Sequence, residues 1–319
     1  MNFLHEMGEN FMDINKYALF SRIAELKNLT MAAELLGYTQ SSASHAVSSL
    51  ETELGISLFT RSRSGMELTS AGRVLLPSVY GLLQCQEQIL QIVNSIRGLE
   101  IGSVKVAAFS SVTINWLAQI AGDFHNQYPG IDIEVMDGSY EKIRSWISNG
   151  RVDCGFLTDT RISEMTFIPL CKDTLYAVFP KHHPLTQLES VTLEKVSGEP
   201  FIVPSGGTLQ DICYLAGDFR PQKQRFVNTI SDASALALVQ NGLGVSIFPG
   251  ILLKNSQLDA VELRRIENCK YHMLGLASHE KRHASPAVKC FQAFAKNWCQ
   301  VHPEAMDLTG CLTRQSSPC

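Results

Sequence analysis

The residues best placed to do chemistry in this chain carry almost no charge. Thr39, Gln40, Ser41, Ser42, Ser44, His45 and Ser48 fall in the ten-residue stretch TQSSASHAVS, which has one histidine and no lysine or arginine. Such side chains can read nucleic acid: glutamine pairs bidentately with adenine N6 and N7, and serine hydroxyls bond base edges or phosphates. His45 reads a base when neutral and holds a phosphate when charged. The competing reading of these hydroxyls is a solvated helix face. Arg61 and Arg63 stand two positions apart further along, and supply the charge that phosphate contacts need.

A second constellation lies at three strand-to-helix junctions, FSSVT (109–113), PSGGT (204–208) and ISDAS (230–234). Each places hydroxyls or glycines where a helix begins. In open α/β sheets ligands collect at the carboxyl ends of strands, and helix N-termini favour anionic groups, so a small molecule with a carboxylate is the leading ligand class. Ser110, Ser111, Ser205 and Gly206 are the first candidates to bind it, followed by Thr158, Ser231 and Phe248. Plain helix capping is the alternative for each, and it is the expected role of Asp232. No catalytic constellation competes. His182 and His183 precede Pro184 in a loop-like stretch, no His/Cys/Asp cluster has metal-ligand spacing, and neither GxSxG nor a phosphate-binding glycine loop is present. No enzyme activity, cofactor or metal is expected.

The elements that must hold these residues follow from periodicity. DINKYALFSRIAELK carries apolar residues at helical spacing behind Asp13 as N-cap. Thr30 is expected to cap a second helix over 31–36, and Thr39 a third from Gln40 to about Glu53. Gly37 supplies the tight turn between them, and Ala33 is small enough for close crossing. Ala43, Val47 and Leu50 then share a buried face, opposite Gln40, Ser41, Ser44, His45 and Ser48. Two short extended pieces, 57–60 and 66–69, flank the Arg61–Arg63 turn as a two-stranded wing. From Ser70 to Arg97 runs one long helical pattern in which Leu75, Val79, Leu82, Gln86, Ile89, Val93 and Ile96 recur at alternating spacings of four and three. That is a two-helix seam with one polar member to set register, or else a long helix packed along its own domain.

Beyond Gly98 the period changes. VKVAAF, IDIEVM, VDCGFL, LYAVF, FIVP, RFVNTI, GVSIF and YHMLGLA read as short strands alternating with amphipathic helices, a doubly wound α/β pattern with mainly parallel sheets. The expected organisation is a leader over 1–12, a winged helix-turn-helix over 13–69, a linker helix over 70–98, an α/β domain over 101–302 and a tail over 303–319. The α/β domain divides into one subdomain from residues 101–170 and 270–302 and a second from 171–269, joined by crossover strands.

Bulk properties set the outer limits. A length of 319 residues exceeds one ordinary domain, and 45% hydrophobic with 18% charged residues is the composition of a globular protein. No apolar run approaches the roughly 18 residues of a membrane span, and MNFLHEMGENFM lacks the basic start and apolar core of a signal peptide, which points to the cytoplasm. Net charge is −4; residues 1–100 hold seven Lys/Arg against ten Asp/Glu, a net of −3, leaving −1 for the rest. No domain is strongly basic, so any nucleic-acid role rests on local geometry. Nine cysteines, with no CxxC pair, read either as reduced thiols or as holding a redox-sensing site, with Cys154 and Cys213 as candidates.

The ordered series AAxxL, TQSSxS, LExELGxxLFxR and LTxAG, within TMAAELLGYTQSSASHAVSSLETELGISLFTRSRSGMELTSAG, resembles the LysR-type transcriptional regulators from Asp13 to about Arg97. The resemblance continues in pattern from Gly102 to about Trp298, through PGIDIEV, VDCGFL, LYAVFPKHHPL and LVQNGLGVSIFP. It implies a winged helix-turn-helix, a dimerising linker helix and an effector domain shaped like a periplasmic binding protein. Gln40, Ser42, Ser44 and His45 would lie on or beside the recognition helix, with Arg61 and Arg63 in the wing. Two departures stand out, since members often carry proline at Ser41 and arginine at His45, which leaves fewer direct base contacts. Residues 1–11 precede the usual family start, MDINKYALF, as an over-long start or a disordered leader. The implied partners are double-stranded DNA, a small-molecule effector and further copies of the chain as homodimer or homotetramer, with RNA polymerase a further candidate. The alternatives are a cysteine-redox regulator on the same scaffold, and an enzyme or solute-binding protein that shares only the α/β module.

Overall fold

The computed structural model describes residues 13–62, 65–98, 100–160, 162, 164–204, 206–217, 219–225, 231–280 and 283–307. The expected leader, Arg63, Ser205 and residues 226–230 of the expected strand RFVNTI therefore lie outside the described residues. The chain forms two compact units that part after Gly98.

In the N-terminal unit, α1 (Ile14–Leu26) starts at Asp13, whose carboxylate accepts from the Asn15 amide at 3.0 Å. Helix α2 (Leu29–Leu35) is capped by Asn28, not by the expected Thr30. Asn28 is extended, with φ −139°, so its side chain reaches the Met31 amide at 3.1 Å, while Thr30 already lies inside the helix. Gly37 then takes φ +74°, a backbone state that L side chains rarely adopt, and leads into α3 (Gln40–Leu54). Strands β1 (Phe59–Ser62) and β2 (Gly65–Leu68) pair antiparallel as the wing. Glu51 ties the wing to α3, accepting from the Leu58 and Phe59 amides at 2.6 and 3.1 Å. Helix α4 (Ser70–Ile96) begins at Thr69, whose hydroxyl accepts from Gly72 N at 3.0 Å, and passes through Pro77. Phe20, Ile23, Ala33, Ala43, Leu50, Leu58 and Val79 form the buried core of this unit.

The C-terminal unit opens with β3 (Gly102–Ala108) and one continuous helical stretch, in which α5 (Ser110–Val112) leads through a π-helical segment (Thr113–Leu117) into α6 (Ala118–Gln127). Then follow β4 (Ile131–Asp137), α7 (Tyr140–Asn149), β5 (Cys154–Thr158) and the long β6 (Met165–Pro180). Next come β7 (Ser190–Val191), α8 (Leu193–Ser197), β8 (Pro200–Ile202), α9 (Gly206–Leu215), β9 (Lys223–Arg225) and α10 (Asp232–Gln240). The unit finishes with β10 (Ser246–Pro249), α11 (Gly250–Leu253), β11 (Val261–Ile266), β12 (Tyr271–His279), α12 (Pro286–Val301) and α13 (Pro303–Met306).

An eight-stranded sheet runs β4-β3-β5-β12-β6-β11-β7, with β10 also on β6. It is mixed, which corrects the mainly parallel sheet expected from the sequence. Strand β3 is parallel to β4 and β5, but β12 is antiparallel to β5 and β6, and β10 and β11 are antiparallel to β6. Sixteen-residue β6 is the reason. Its first part pairs with β12 and its last part with β10 and β11, so it serves both subdomains, and strands returning to it must run against it. Trp116, Phe124, Phe156, Phe291 and Trp298 fill the core beside β3, while Phe179, Phe201, Ile212, Phe248 and Leu263 are buried in two clusters of the second subdomain. The expected tail also needs correction at its start. The Trp116 indole donates to the Ala305 carbonyl at 3.0 Å, and Ala305 and Met306 pack on the core, so α13 completes the domain. Among the described residues, no helix is long and apolar enough to cross a membrane, and no cluster of His, Cys, Asp and Glu could hold a metal ion.

Candidate functional site

Helix α3 displays its polar residues as the period required. Gln40, Ser41, Ser42, His45 and Ser48 are exposed, Ser44 is half-buried, and Ala43, Val47 and Leu50 are in the core. Three of the hydroxyls are already engaged, Ser41 Oγ lying 3.1 Å from Thr39 Oγ1. The Thr39 side chain caps the helix, accepting from the Ser42 amide at 3.2 Å, and the Ser42 hydroxyl donates to the Thr39 carbonyl at 2.9 Å. Ser42 is thus part of the cap, and Gln40, Ser41, His45 and Ser48 form the outward surface. Arg61 sits in β1 opposite Met66. Lys16 is taken up by Glu53 and Ser49, and Arg22 pairs with Glu25 at 3.0 Å, whereas Lys27 and Arg73 are exposed.

The seven seam positions of α4 divide. Val79 is buried in its own unit's core and half-buried Leu75 and Leu82 pack against that core, where the first turns of α4 seal the wing and α1. Gln86, Ile89, Val93 and Ile96 are exposed, and Leu90 and Ile92 join them as exposed apolar side chains.

In the C-terminal unit a cavity of about 630 Å³ opens among the starts of α5, α7, α9, α10 and α11. Ser110, Ser111 and Ser231 line it, and Gly206 begins α9, whose next residues Gly207 and Thr208 line it too. Two expected residues lie elsewhere. Phe248 is fully buried in the core formed by β6, β10 and β11, because its position on β10 turns it away from the junction. Thr158 is also buried; it lines a separate pocket of about 150 Å³ and its Oγ1 lies 2.8 Å from that of Thr160. Ser231, not Asp232, caps α10, accepting from Ser234 N at 3.2 Å; Asp232 follows inside the first turn, where it accepts from Thr208 Oγ1 at 2.8 Å. Sequence reading missed Asp137, Asn115, Tyr140 and Thr208 in the lining. Asp137 had a signal as the last residue of the strand IDIEVMD, where sheet ligands collect, and Thr208 as the last residue of the PSGGT junction.

Behind this cavity lies a buried polar chain. Tyr140 on α7 donates to Asp211 on α9 at 3.1 Å. The ring nitrogens of His272 on β12 stand 3.8 Å from Asp211 and 3.7 Å from Asp173 on β6. Asp173 in turn accepts from the amides of Gly250 and Ile251 at 2.9 and 3.2 Å, fixing α11. Burial pushes the Asp211 carboxyl up to about 6 against the opposing pull of His272 and Tyr140. Burial works against the charged form of His272, but Asp173, Asp211 and Asp159 outweigh it and raise its pKa above the ordinary histidine value. Burial, reinforced by the Asp211 charge, holds the Tyr140 phenol well above its usual range. The two carboxylates thus favour the charged form of His272 against its burial.

A helix-turn-helix with an antiparallel wing, joined to a two-subdomain α/β module with a cavity, is the architecture of a DNA-binding regulator. Residues 97–300 match the LysR substrate binding domain, and residues 14–73 match the bacterial regulatory helix-turn-helix protein of the lysR family. The chain belongs to the LysR family of transcriptional regulators. It is 27% identical over 287 residues to the HTH-type transcriptional regulator YvbU of Bacillus subtilis, covering 89% of this chain and 98% of YvbU. It is 26% identical over 293 residues to AlsR of the same organism, covering 88% and 94%. Among solved structures, a full-length OxyR variant from Pseudomonas aeruginosa is similar with a TM-score of 0.69 at 19% identity, covering 89% and 93%. CbnR, a LysR family transcriptional regulator, is similar with a TM-score of 0.62 at 19% identity, covering 90% and 99%. These structural likenesses establish the fold.

Proposed function

We propose that this regulator reads its operator with the outward face of α3 and answers a small-molecule effector bound in the 630 Å³ cavity. The observation that carries the reading is the meeting of five helix starts and the hydroxyls of Ser110, Ser111, Thr208 and Ser231 around one space. A carboxylate on the effector would rest on the first-turn amides of α9, where Gly207 and Thr208 line the cavity. Gln40, Ser41, Ser44, His45 and Ser48 would meet base edges and phosphates, with Thr39 and Ser42 holding the helix start. Arg61 and Arg63 would supply phosphate charge. Few cations per protomer make a dimer necessary, and the exposed apolar stretch of α4 from Ile89 to Ile96 offers the seam; CbnR has been solved in complex with its target DNA. Effector binding then shifts the population between two arrangements by its differential affinity for them.

A full-length His45→Ala/Arg61→Ala/Arg63→Ala variant tests the DNA surface against its own upstream region. Binding should weaken across all sequences, and each lost phosphate contact should lower the salt slope of log K by about 1. Unchanged binding and slope would remove this surface from the account. The thiol-switch alternative fares less well: Cys154 is fully buried with its thiol pushed up by burial, while Cys213 is exposed.

A further inference from the structure

The walls of the effector cavity carry an unexpected charge. The described lining includes two aspartates, Asp137 and Asp232, and no lysine, arginine or histidine. Residues Ser205 and 226–230 (FVNTI), which adjoin α9 and α10 in the chain, contain no basic residue either. The two carboxylates are not equivalent. Asp232 lies in the first turn of its own helix and takes the Thr208 hydroxyl at 2.8 Å, so the helix end answers its charge. Asp137 ends β4, is exposed to the cavity, and accepts only the Thr113 hydroxyl at 2.9 Å, with no ion-pair partner among the described residues.

A second acceptor lies in the same wall. Asn115 lines the cavity at 6% exposure, and its Nδ2 donates to the carbonyls of Ser111 at 2.7 Å and Ile251 at 2.9 Å, which fixes the amide orientation. Its Oδ1 is buried and has no donor among the described residues. A buried acceptor left unmet is costly, and it adds acceptor character, not donor character, to a wall that already carries two carboxylates. An ammonium carries three donors and a positive charge; a carboxylate has neither.

We propose that the effector carries a cationic amine held by Asp137, and is an amino-acid-like small molecule rather than a simple carboxylic acid. This rests on the reading of the cavity as the effector site. The amine faces Asp137 at the β4 end, the carboxylate faces the start of α9, and the apolar remainder packs on Phe109, Ile114 and Leu252.

The test uses the full-length protein and matched triplets on one skeleton. L-leucine, L-methionine and L-phenylalanine are each compared with the corresponding decarboxylated amine and deaminated acid, by thermal shift and then by calorimetric titration. At least one amine-bearing member should raise Tm by mass action, and its deaminated acid should not. Asp137→Asn should weaken that binding about tenfold or more, the order expected for loss of a charge-assisted hydrogen bond, while Asp132→Asn on the same strand should leave it unchanged. Equal Tm of the unliganded variants confirms that both fold. If no amine-bearing member binds, or if Asp137→Asn binds it as tightly as the parent, the amine is overturned. If only deaminated acids bind and Ser110→Ala or Thr208→Val weakens them, the cavity stands and the amine falls. If ligands bind and none of these variants weakens them, the cavity reading itself falls.

Discussion

At the scale of single residues, the most consequential group is His272, which no feature of YHMLGLA distinguishes from any other strand residue. Its role comes from Asp173 and Asp211, which stand far from it in sequence and meet it only through β6 and α9. The raised pKa of His272 means that its contribution is complete below the ordinary histidine pKa and is lost as pH rises through the folded value. Asp211 is raised as well, so the native state holds its proton more tightly than the unfolded chain, and stability falls as pH climbs from the ordinary carboxylate range to about 6. Thermal melts across pH should therefore show the parent losing ground to His272→Gln as pH rises above the ordinary histidine pKa, and to Asp211→Asn between about pH 4 and 6. Parallel curves for parent and variants would mean that neither group titrates as placed here. Removing His272 also leaves two buried carboxylates facing each other, a loss on the order of 3–5 kcal/mol at neutral pH.

At the scale of elements, the helix-turn-helix was readable because its determinants are local. Asp13 and Thr39 cap the helices they were expected to cap, since a capping side chain bonds an amide two or three residues away. Asn28 in place of Thr30 shows the limit of that logic: both are good caps, and the backbone angle before the helix decides between them. The LTSAG segment holds a less visible constraint. A Cβ on Gly72 would come within 2.4 Å of the Leu58 carbonyl oxygen, so α4 can approach the wing only with glycine there. Gly72→Ala should destabilise the N-terminal unit by about 1–3 kcal/mol, the usual cost of overpacking, and lower DNA affinity through the wing without touching a DNA-facing residue. Chemical denaturation of the full chain, read alongside operator binding, checks both effects, and a stable, fully binding variant would contradict the close approach.

At the scale of the whole molecule, oligomerisation and sensing remain to be joined. Ile89, Leu90, Ile92, Val93 and Ile96 leave an apolar stretch exposed on the last turns of α4, a cost in water unless a second copy covers it. Ile89→Asp/Val93→Asp should shift the protein toward monomer in analytical ultracentrifugation and weaken operator binding, while the first turns of α4, held in the core by Leu75, Val79 and Leu82, stay folded. An unchanged sedimentation profile would place the dimer contact elsewhere. What the sequence by itself determined was everything with a local period or motif: the helix-turn-helix and the outward residues of α3, the wing, the long helix, the alternation of strands and helices, and the family. Tertiary structure alone decided which sequence-distant groups meet. It made the sheet mixed through β6, buried Val79 of α4 while leaving Ile89, Val93 and Ile96 exposed, turned Phe248 into the core, and brought Asp137, Asn115, Tyr140 and Thr208 around one cavity. Periodicity assigns a residue to a face, but only packing over long sequence separations decides what that face meets.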